Sequence, residues 1–483
     1  MTLSEIATTR DAVDDAVISP EAQDRESAAR VSARSDRMLF IDATGVLLGF
    51  GSAPTGIPRI EDFLARAALA DPDPAVMLVK LGRNGRTYES LNALERQQLK
   101  RGLETDQSDI KGNGSAGTLR QTFRIIRRNP TLGRDADRHF ADIATNSARR
   151  GFAYQTVKTL VRAYRIYRQC VARIMTAWSK HKNRPVDLSL GTLLLSNKAV
   201  LSASLSKSSD AMQGRAFISY DLIPILHPPF AIDADFAKRF TANIRWMMQL
   251  RQTKALCISE TSKTMLTEYA RNAGFGTARI GHFPLPSILR EKAERQRRVP
   301  ESRQAKPYII YCSTIEARKN HLLLARVWQQ ALEEGVALPK LICIGKWGWR
   351  VDELKSYLAA HPGLSSCIVF TGPVSDAELI GYYRSAMFGV VPSYVEGWGY
   401  GASECLDFGI PVIVSTSPAL QEATRGLMPA IDPDDQAGWY AEIRDLSESD
   451  ERRAWYRRQI ADRHRPTSTA ASWAHIKAAL LHD

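Results

Sequence analysis

Residues 394–409, YVEGWGYGASECLDFG, combine a glycine-rich turn with two carboxylates. The segment follows the apolar run AMFGVVPS and precedes IPVIV, so it joins two strand-like stretches. Its three glycines lack side chains, which would let a ligand approach the backbone amides closely. Glu396 stands at the expected strand exit, and Glu404 falls about one turn into the following helix. Carboxylates here would repel a phosphate but suit the hydroxyls of a sugar or a ribose.

The same residues also fit the pattern G-x-G-x-x-A of a dinucleotide-binding turn. Three features disfavour that interpretation. The pattern occurs late in the chain, the next strand PVIVSTS ends in hydroxyls instead of an acid, and Glu396 would crowd a pyrophosphate. Hydroxyl binding by the two carboxylates is therefore preferred.

Arg318 and Lys319 place two cations between the apolar run YIIYCS and the helix-like segment NHLLLARVWQQAL. A helix N-terminus already favours anions, and two fixed cations strengthen that preference for phosphate. Polar segments also follow LICIG, CIVFTG and FGVVPS, and in open α/β sheets ligands bind at the carboxyl ends of the strands. The alternative, two ordinary surface charges, is disfavoured by this repeated placement. Phosphate-binding cations beside hydroxyl-binding carboxylates describe a nucleotide-sugar site.

Strand-length apolar runs alternate with helix-like segments, which predicts the α/β class with parallel strands. Near the N-terminus, a glycine loop and a helix with Pro58 in its first turn separate two expected strands. The charged segment 291–306 is expected to be a linker between a first domain, 38–290, and a second, 307–455. Residues 1–37 mix acids and bases and are expected to form a disordered leader.

The 483 residues carry a net charge of +13, which favours an anionic partner such as a nucleic acid, an acidic membrane or a phosphorylated ligand. No run reaches the roughly 18 uncharged apolar residues of a membrane-spanning helix. The six cysteines form no C-x-x-C pair, which indicates reduced thiols and a cytoplasmic protein.

A basic helical insertion is expected at about 121–183, with an apolar stripe opposite its arginines. Two interpretations stay open. The segment could lie on an anionic membrane surface, peripheral to the inner face of the plasma membrane, or it could pack on the first domain with its arginines solvated.

The second half resembles the retaining glycosyltransferases of family four, which have the two-domain GT-B architecture. The matching stretches, within residues 307–435, are STIEARKNH, IGKWGW, FTGPVSDAEL and PSYVEGWGYGASECLDFGIPVIVSTSPALQEA. The last contains the E-x7-E signature of the family as Glu396 and Glu404. In the first half TGIPRIE, SYDLIPILHPPF and ALCISETSKTMLTEYA are similar. The resemblance implies two Rossmann-like domains facing across a cleft, with helices in 456–483 crossing back to the first.

The resemblance also implies roles for the matching positions. Glu396 would face the hydroxyls of the donor sugar, and Glu404 would hold the nucleotide ribose. Arg318 and Lys319 would clamp the diphosphate and stabilise it as it leaves. Asp221 belongs to the family's His-Asp segment and is a catalytic candidate, although Tyr220 replaces the histidine. The remaining donor-binding candidates are Gly56, Lys346, Val374 and the amides of Trp398, Gly399 and Tyr400.

The implied reaction is hexosyl transfer with retention, without a metal or another cofactor. The leaving phosphate would take the acceptor's proton, and no protein nucleophile is assigned, although Glu396 stays a candidate. The tripeptides Asp71/Asp73 and Asp432/Asp434 have the D-x-D form of a metal site, but they lie in proline-containing turns, where aspartate is ordinary.

TGIPRIE, YDLIPI and RKN together most resemble mannosyl-transferring members, so the expected donor is GDP-mannose. The expected acceptor is a saccharide, lipid-linked, in polysaccharide or glycolipid assembly. The rival interpretation is a basic protein that binds nucleic acid or a membrane surface without transferase activity. No zinc knuckle, RRM signature or helix-turn-helix pattern supports a nucleic-acid partner, so none is expected.

Overall fold

The computed structural model describes residues 39–43, 57–73, 76–81, 88–91, part of 93–99, 193–196, 215–249, 253–296 apart from 278, and 307–481. The expected leader, 1–37, and the basic insertion, 121–183, lie outside these ranges. The described residues form two α/β units, each built on one sheet. The α/β two-domain architecture expected from the resemblance is thus confirmed.

The first unit has a seven-stranded sheet in the order β3-β2-β1-β4-β5-β6-β7. Its strands are β1 (Leu39–Asp42), β2 (Val76–Leu81), β3 (Tyr88–Ser90), β4 (Leu193–Ser196), β5 (Arg215–Ser219), β6 (Thr253–Cys257) and β7 (Ile280–His282). Its helices are α1 (Ile57–Ala70), α2 (Ile223–Leu226), α3 (Ala234–Gln249) and α4 (Glu260–Asn272). Side chains alternate across the sheet: Ala216 and Ile218 join the core under α1, whereas Phe217 joins a smaller core with α3.

This first sheet departs from the expected parallel arrangement. Strand β4 runs antiparallel to both β1 and β5, and β3 runs antiparallel to β2. The remaining pairs, β1 with β2, β5 with β6 and β6 with β7, are parallel. The run LLLS of β4 was missed by the sequence reasoning because it has only four residues and its partner β1 lies far earlier in the chain.

The second unit has a six-stranded, fully parallel sheet in the order β10-β9-β8-β11-β12-β13. Its elements are α5 (Ile288–Arg295), β8 (Tyr308–Cys312), α6 (His321–Glu333), β9 (Lys340–Ile344), α7 (Asp352–Ala360), β10 (Ile368–Gly372), α8 (Asp376–Ser385), β11 (Phe388–Val391), α9 (Tyr400–Asp407), β12 (Val412–Ser415), α10 (Pro418–Thr424), β13 (Ala430–Ile431), α11 (Gln436–Glu448) and α12 (Asp450–Arg463). Helices cover both faces, so β11 and β12 are fully buried and read as the unbroken apolar runs FGVV and VIVS.

The linker expected at 291–306 begins later than the sequence suggests. Residues up to Arg295 form α5, and Leu289 and Ala293 are buried in the core of the second unit. This helix looks like a linker in the sequence because most of its other residues are charged. Its two apolar contacts come from a unit whose strands begin only at Tyr308.

The return to the first unit also begins later than the expected residue 456. Tyr456 and Ile460 of α12 are buried in the second core. The final helix, α13 (Thr469–Leu481), places Trp473, Ile476 and Leu480 in the first core. The chain therefore crosses between the units at 464–468, and α13 alone makes the predicted return. Among the helices of the described ranges, none is both long and apolar enough to span a membrane.

Candidate functional site

The candidate site lies where the carboxyl ends of the second sheet meet the first unit. Loops after β8, β9, β10 and β11 converge at this edge. They contact the segment that follows β5: Trp349 Nε1 donates to the carbonyl of Phe230 at 2.9 Å, and Arg350 Nε donates to that of Ala231 at 3.0 Å. The ring of Tyr394 stacks on Phe230 with centroids 5.5 Å apart. The two units therefore touch directly at the predicted ligand edge.

Arg318 and Lys319 both pair with Glu396. Arg318 Nη1 donates to Glu396 Oε2 at 2.8 Å, and the Lys319 ammonium pairs with Glu396 Oε1. Arg318 Nη2 also donates to Glu316 at 2.7 Å. The cations reach Glu396 because a 3₁₀ turn, Ala317–Lys319, follows β8 and ends at Asn320 in the left-handed conformation (φ 56°). The predicted convergence of these three side chains is what the structure shows.

The electrostatics of this cluster follow from burial and mutual pairing. Burial alone would raise the pKa of Glu396, but the charges of Arg318 and Lys319 outweigh it and lower the pKa to about 2. Burial and the neighbouring Arg318 lower the pKa of Lys319. Burial raises the pKa of Asp221, although Arg318 opposes this, and its Oδ1 accepts the Ile223 N–H at 3.0 Å where α2 begins. Asp221 thus belongs to the same charge cluster.

Glu404 has partners that its expected ribose-binding role did not include. Its Oε1 pairs with Arg59 of the first unit, and its Oε2 accepts the hydroxyl of Tyr383 at 2.8 Å. The Glu404 side chain is only 5% exposed. Sequence reasoning missed Arg59, which lies in the quoted stretch TGIPRIE, and Tyr383, which reads as a core residue of α8.

The glycines of the turn allow close packing of the chain on itself, whereas the expected approach of a ligand to their amides stays a prediction. A Cβ on Gly397 would lie 2.4 Å from the Tyr220 carbonyl oxygen, and one on Gly401 would lie 2.8 Å from that of Cys312. Gly399 has φ of +104°, a conformation that L side chains rarely adopt.

The other donor-binding candidates divide into three groups. Lys346 is exposed after β9, and Val374 is half-buried after β10, both at the ligand edge. The side chains of Trp398 and Tyr400 pack against the core of the first unit. Gly56 lies outside the described residues, one position before α1.

The two D-x-D tripeptides have local partners. Asp71 accepts Trp473 Nε1–H and pairs with Lys477, which also pairs with Asp73, so both hold α13. The Asp434 amide donates to Asp432 Oδ1 at 2.8 Å, and Asp434 accepts the hydroxyl of Tyr394 at 3.0 Å. Within the described ranges no group of three His, Cys, Asp or Glu side chains is arranged to hold a metal ion.

Residues 306–449, which contain the Glu396 cluster, match the family model described as "Glycosyl transferases group 1". Over these residues the second unit is similar to the group 1 glycosyltransferases. The resemblance seen in its motifs is thereby confirmed.

Two relatives of the chain carry mannosyltransferase names. The "Serotype-specific mannosyltransferase WbdA" of Escherichia coli is 24% identical over 220 residues, which are 43% of this chain and 26% of the relative. The "O-antigen chain mannosyltransferase B" of Escherichia coli is 31% identical over 128 residues, 26% of this chain and 33% of the relative. The chain thus spans about a quarter to a third of the length of these relatives. Both names agree with the predicted likeness to mannosyl-transferring members.

One solved structure similar to the chain is that of WaaG, "a glycosyltransferase involved in lipopolysaccharide biosynthesis". It aligns with a TM-score of 0.42 at 12% identity, over 56% of this chain and 75% of that one. The rival interpretation, a binding protein without transferase activity, finds no support in the family match.

Proposed function

We propose that the chain is a retaining glycosyltransferase that moves a hexose from a nucleoside diphosphate to a saccharide acceptor. Mannose from GDP-mannose is the first candidate donor, and a lipid-linked saccharide is the first candidate acceptor. The observation that carries the proposal is the pairing of Arg318 and Lys319 with Glu396 at the ligand edge of the second sheet. The family match and the names of the two relatives support the same class.

The charge cluster suits an exchange of partners. In this structure Glu396, together with Glu316, balances the charges of Arg318 and Lys319 in a buried setting where unpaired charges are costly. A bound diphosphate would take over the two cations and leave the Glu396 oxygens for the hydroxyls of the sugar. The two cations would then bind the negatively charged diphosphate, and the Glu396 carboxylate would accept hydrogen bonds from the sugar hydroxyls.

In the proposed reaction the bond between the sugar C1 and the diphosphate oxygen breaks. Negative charge grows on the diphosphate, where Arg318 and Lys319 stabilise it without rearrangement. The acceptor oxygen forms the new bond to C1 on the same face, and its proton passes to the leaving diphosphate. Metal independence is part of the proposal because the two cations supply the positive charge at the leaving group.

A donor panel tests the proposal. The full chain is incubated with GDP-mannose, UDP-glucose, UDP-N-acetylglucosamine or a dTDP-sugar, with and without EDTA, and nucleotide release and product mass are measured. Transfer by the wild type, with an unchanged rate in EDTA and an α-anomeric product by NMR from the α-linked donor, is the expected result. An inverted anomer would overturn retention, and loss in EDTA would overturn metal independence.

Site variants sharpen this test. Arg318→Ala should lower transfer on the order of 10²-fold or more, since it removes a preorganised charge at the leaving group. Arg326→Ala is the matched control, because this arginine lies on α6 with its side chain 45% exposed. If Arg318→Ala and Glu404→Ala both transfer from every donor as well as the Arg326→Ala control, the site assignment is wrong.

The proposed location is the cytoplasm, peripheral to an anionic membrane through the basic segment 121–183. Flotation of the full chain with vesicles containing anionic lipid, compared with neutral vesicles, tests this. Charge reversal at Arg162 and Arg165 should abolish flotation. Equal flotation of the reversed variant would leave packing on the first unit as the role of this segment.

A further inference from the structure

Arg59 joins the two units at a buried position. It belongs to the first turn of α1, and its guanidinium lies between two carboxylates of the second unit. Nη1 pairs with Glu404, and Nη2 donates to Asp376 Oδ1 at 3.2 Å. The exposed fractions of the side chains are 7% for Arg59, 5% for Glu404 and 19% for Asp376.

The place that the guanidinium occupies is defined by α8 and α9. Asp376 is the first residue of α8, two positions after Val374, and Glu404 lies in the first half of α9. Under the proposed function, Val374 would lie near the nucleobase and Glu404 would hold the ribose, so the ribose would lie between these two helices. Arg59 is in that position.

The hydrogen-bonding capacity of Glu404 is used on both oxygens. Oε1 faces Arg59, and Oε2 accepts the Tyr383 hydroxyl at 2.8 Å. Asp376 is engaged as well, because Lys292 of α5 pairs with its other oxygen. Each oxygen could accept a further hydrogen bond, but the Glu404 side chain is only 5% exposed, so a ribose reaches it only if Arg59 moves away.

We infer that Arg59 is a gate residue that occupies the ribose subsite in this structure and must release Glu404 before a donor can bind. This inference rests on the proposed function. If it is correct, Arg59 of the first unit directly affects donor affinity, although the family match lies in the second unit.

Release of Arg59 requires the units to separate, because its charge is buried against the second unit. The junction also contains apolar contacts, because Trp398 and Tyr400 pack against the core of the first unit and Tyr394 stacks on Phe230. Its remaining contacts are polar and can exchange with water. The Glu422 carboxylate accepts the N–H groups of Glu260 and Thr261 at 2.7 and 2.8 Å, and the Ser259 hydroxyl donates to the Gly397 carbonyl at 2.6 Å. Arg59 thus contributes a buried charged contact that ties closure of the units to occupation of the ribose subsite.

Apparent affinity falls by the fraction of protein in the competent state, so weakening the closed state should tighten donor binding. Arg59→Ala should bind nucleotide about tenfold more tightly than the wild type. Arg59→Lys, which keeps the charge but lacks the planar guanidinium fork that spans Glu404 and Asp376, should lie between them. The KM for donor should fall with the dissociation constant, while kcat should not rise.

Calorimetric titration with GDP and with UDP, and small-angle scattering of the ligand-free protein, test the inference on the full chain. Lys477→Ala is the matched control, since it removes an ion pair at the far end of α1. Tighter binding and a larger radius of gyration in Arg59→Ala, with neither change in Lys477→Ala, is the expected result. Weaker or unchanged nucleotide binding in both Arg59 variants would overturn it.

The two proposals fail in distinguishable ways. If the wild type binds neither nucleotide and transfers from no donor, the proposed function fails, and the ribose subsite fails with it. Small-angle scattering then still tests whether Arg59 holds the units together. A larger radius of gyration in Arg59→Ala than in the wild type supports that role, and an unchanged radius contradicts it. If Arg59→Ala does not fold, Arg59→Lys carries the same comparison.

Discussion

Gly397 and Tyr220 touch through their backbones across the junction of the two units. A Cβ on Gly397 would lie 2.4 Å from the Tyr220 carbonyl oxygen and 3.0 Å from the Asp221 Cβ. The hydroxyl of Ser262 donates to the carbonyls of both Gly397 and Tyr220 at 3.0 Å. The residue next to Glu396 is therefore positioned by the first unit.

Replacing Gly397 by alanine should disturb this junction. The added carbon meets backbone atoms, which cannot rotate away, so the units must move apart at a cost of roughly 1–3 kcal/mol. We expect Gly397→Ala to lower the melting temperature and to reduce transfer at least about tenfold, the factor that 1.4 kcal/mol represents. Gly276→Ala is the control, because a Cβ there would meet nothing within 4 Å and its φ is ordinary. Equal melting temperatures and transfer rates of the two variants would show that the Gly397–Tyr220 contact contributes to neither stability nor activity.

Glu396→Gln tests the charge cluster through pH. The folded-state pKa of Glu396, about 2, is below its ordinary value of 4.5, so ionised Glu396 stabilises the fold above about pH 4.5. The difference corresponds to about 3 kcal/mol at neutral pH. We expect Glu396→Gln to be less stable than the wild type at pH 7, and the gap to shrink as pH falls from 4.5 towards 2.

Denaturant titrations at a series of pH values measure this gap. A gap that stays constant down to the acid limit would mean that Arg318 and Lys319 do not stabilise the ionised carboxylate. A gap that widens on acidification would contradict the lowered pKa itself.

The convergence of Arg318, Lys319 and Glu396 could be predicted because each follows a strand of one parallel sheet, and such strands end at a common edge. The Arg59–Glu404 pair could not, since its partners are 345 positions apart and belong to different units. Periodicity within a segment reports which face is apolar but not which unit covers it. For the same physical reason, the helical start of the expected linker was missed: Leu289 and Ala293 are too few to form a pattern.

The glycines of 397–401 show a second reason why part of the site could not be predicted from the sequence. Their spacing indicates a tight backbone approach but not what approaches. In the structure the approaching atoms belong to the chain itself: the carbonyls of Tyr220 and Cys312 and the side chain of Leu420. Ligand-binding loops and tightly packed interdomain turns require the same residue, so sequence alone cannot separate them.

His321 should make the ligand-free protein sensitive to mild acid. Burial, followed by the nearby charge of Lys319, lowers its pKa from 6.5 to about 3. The unfolded chain therefore binds a proton below pH 6.5 while the folded chain does not, and stability should fall between pH 6.5 and about 3 by up to about 1.4 kcal/mol per pH unit. His321→Phe keeps a ring to stack on Tyr311, whose centroid lies 4.5 Å from that of His321.

We expect the stability of His321→Phe to fall less steeply with acidification than that of the wild type, with parallel curves above pH 8. The slope of unfolding free energy against pH is the measurement, since it does not depend on the fixed cost of the substitution. Identical slopes between pH 6.5 and 4 would show that His321 is protonated in the folded protein.

Substitution of Trp473 tests whether α13 is an integral part of the first unit. Its ring is 8% exposed in the first core, and its Nε1–H donates to Asp71. Truncation to alanine leaves a cavity and removes the hydrogen bond to Asp71, so Trp473→Ala should cost about 3–5 kcal/mol. Trp455→Ala is the matched control: this tryptophan is 47% exposed on α12, and its loss should change stability by about 0.5 kcal/mol or less.

Thermal unfolding followed by proteolysis of the two units distinguishes the outcomes. Selective exposure of first-unit sites in Trp473→Ala would place the end of the chain in the first unit's fold, whereas equal small effects of both substitutions would make α13 a peripheral attachment.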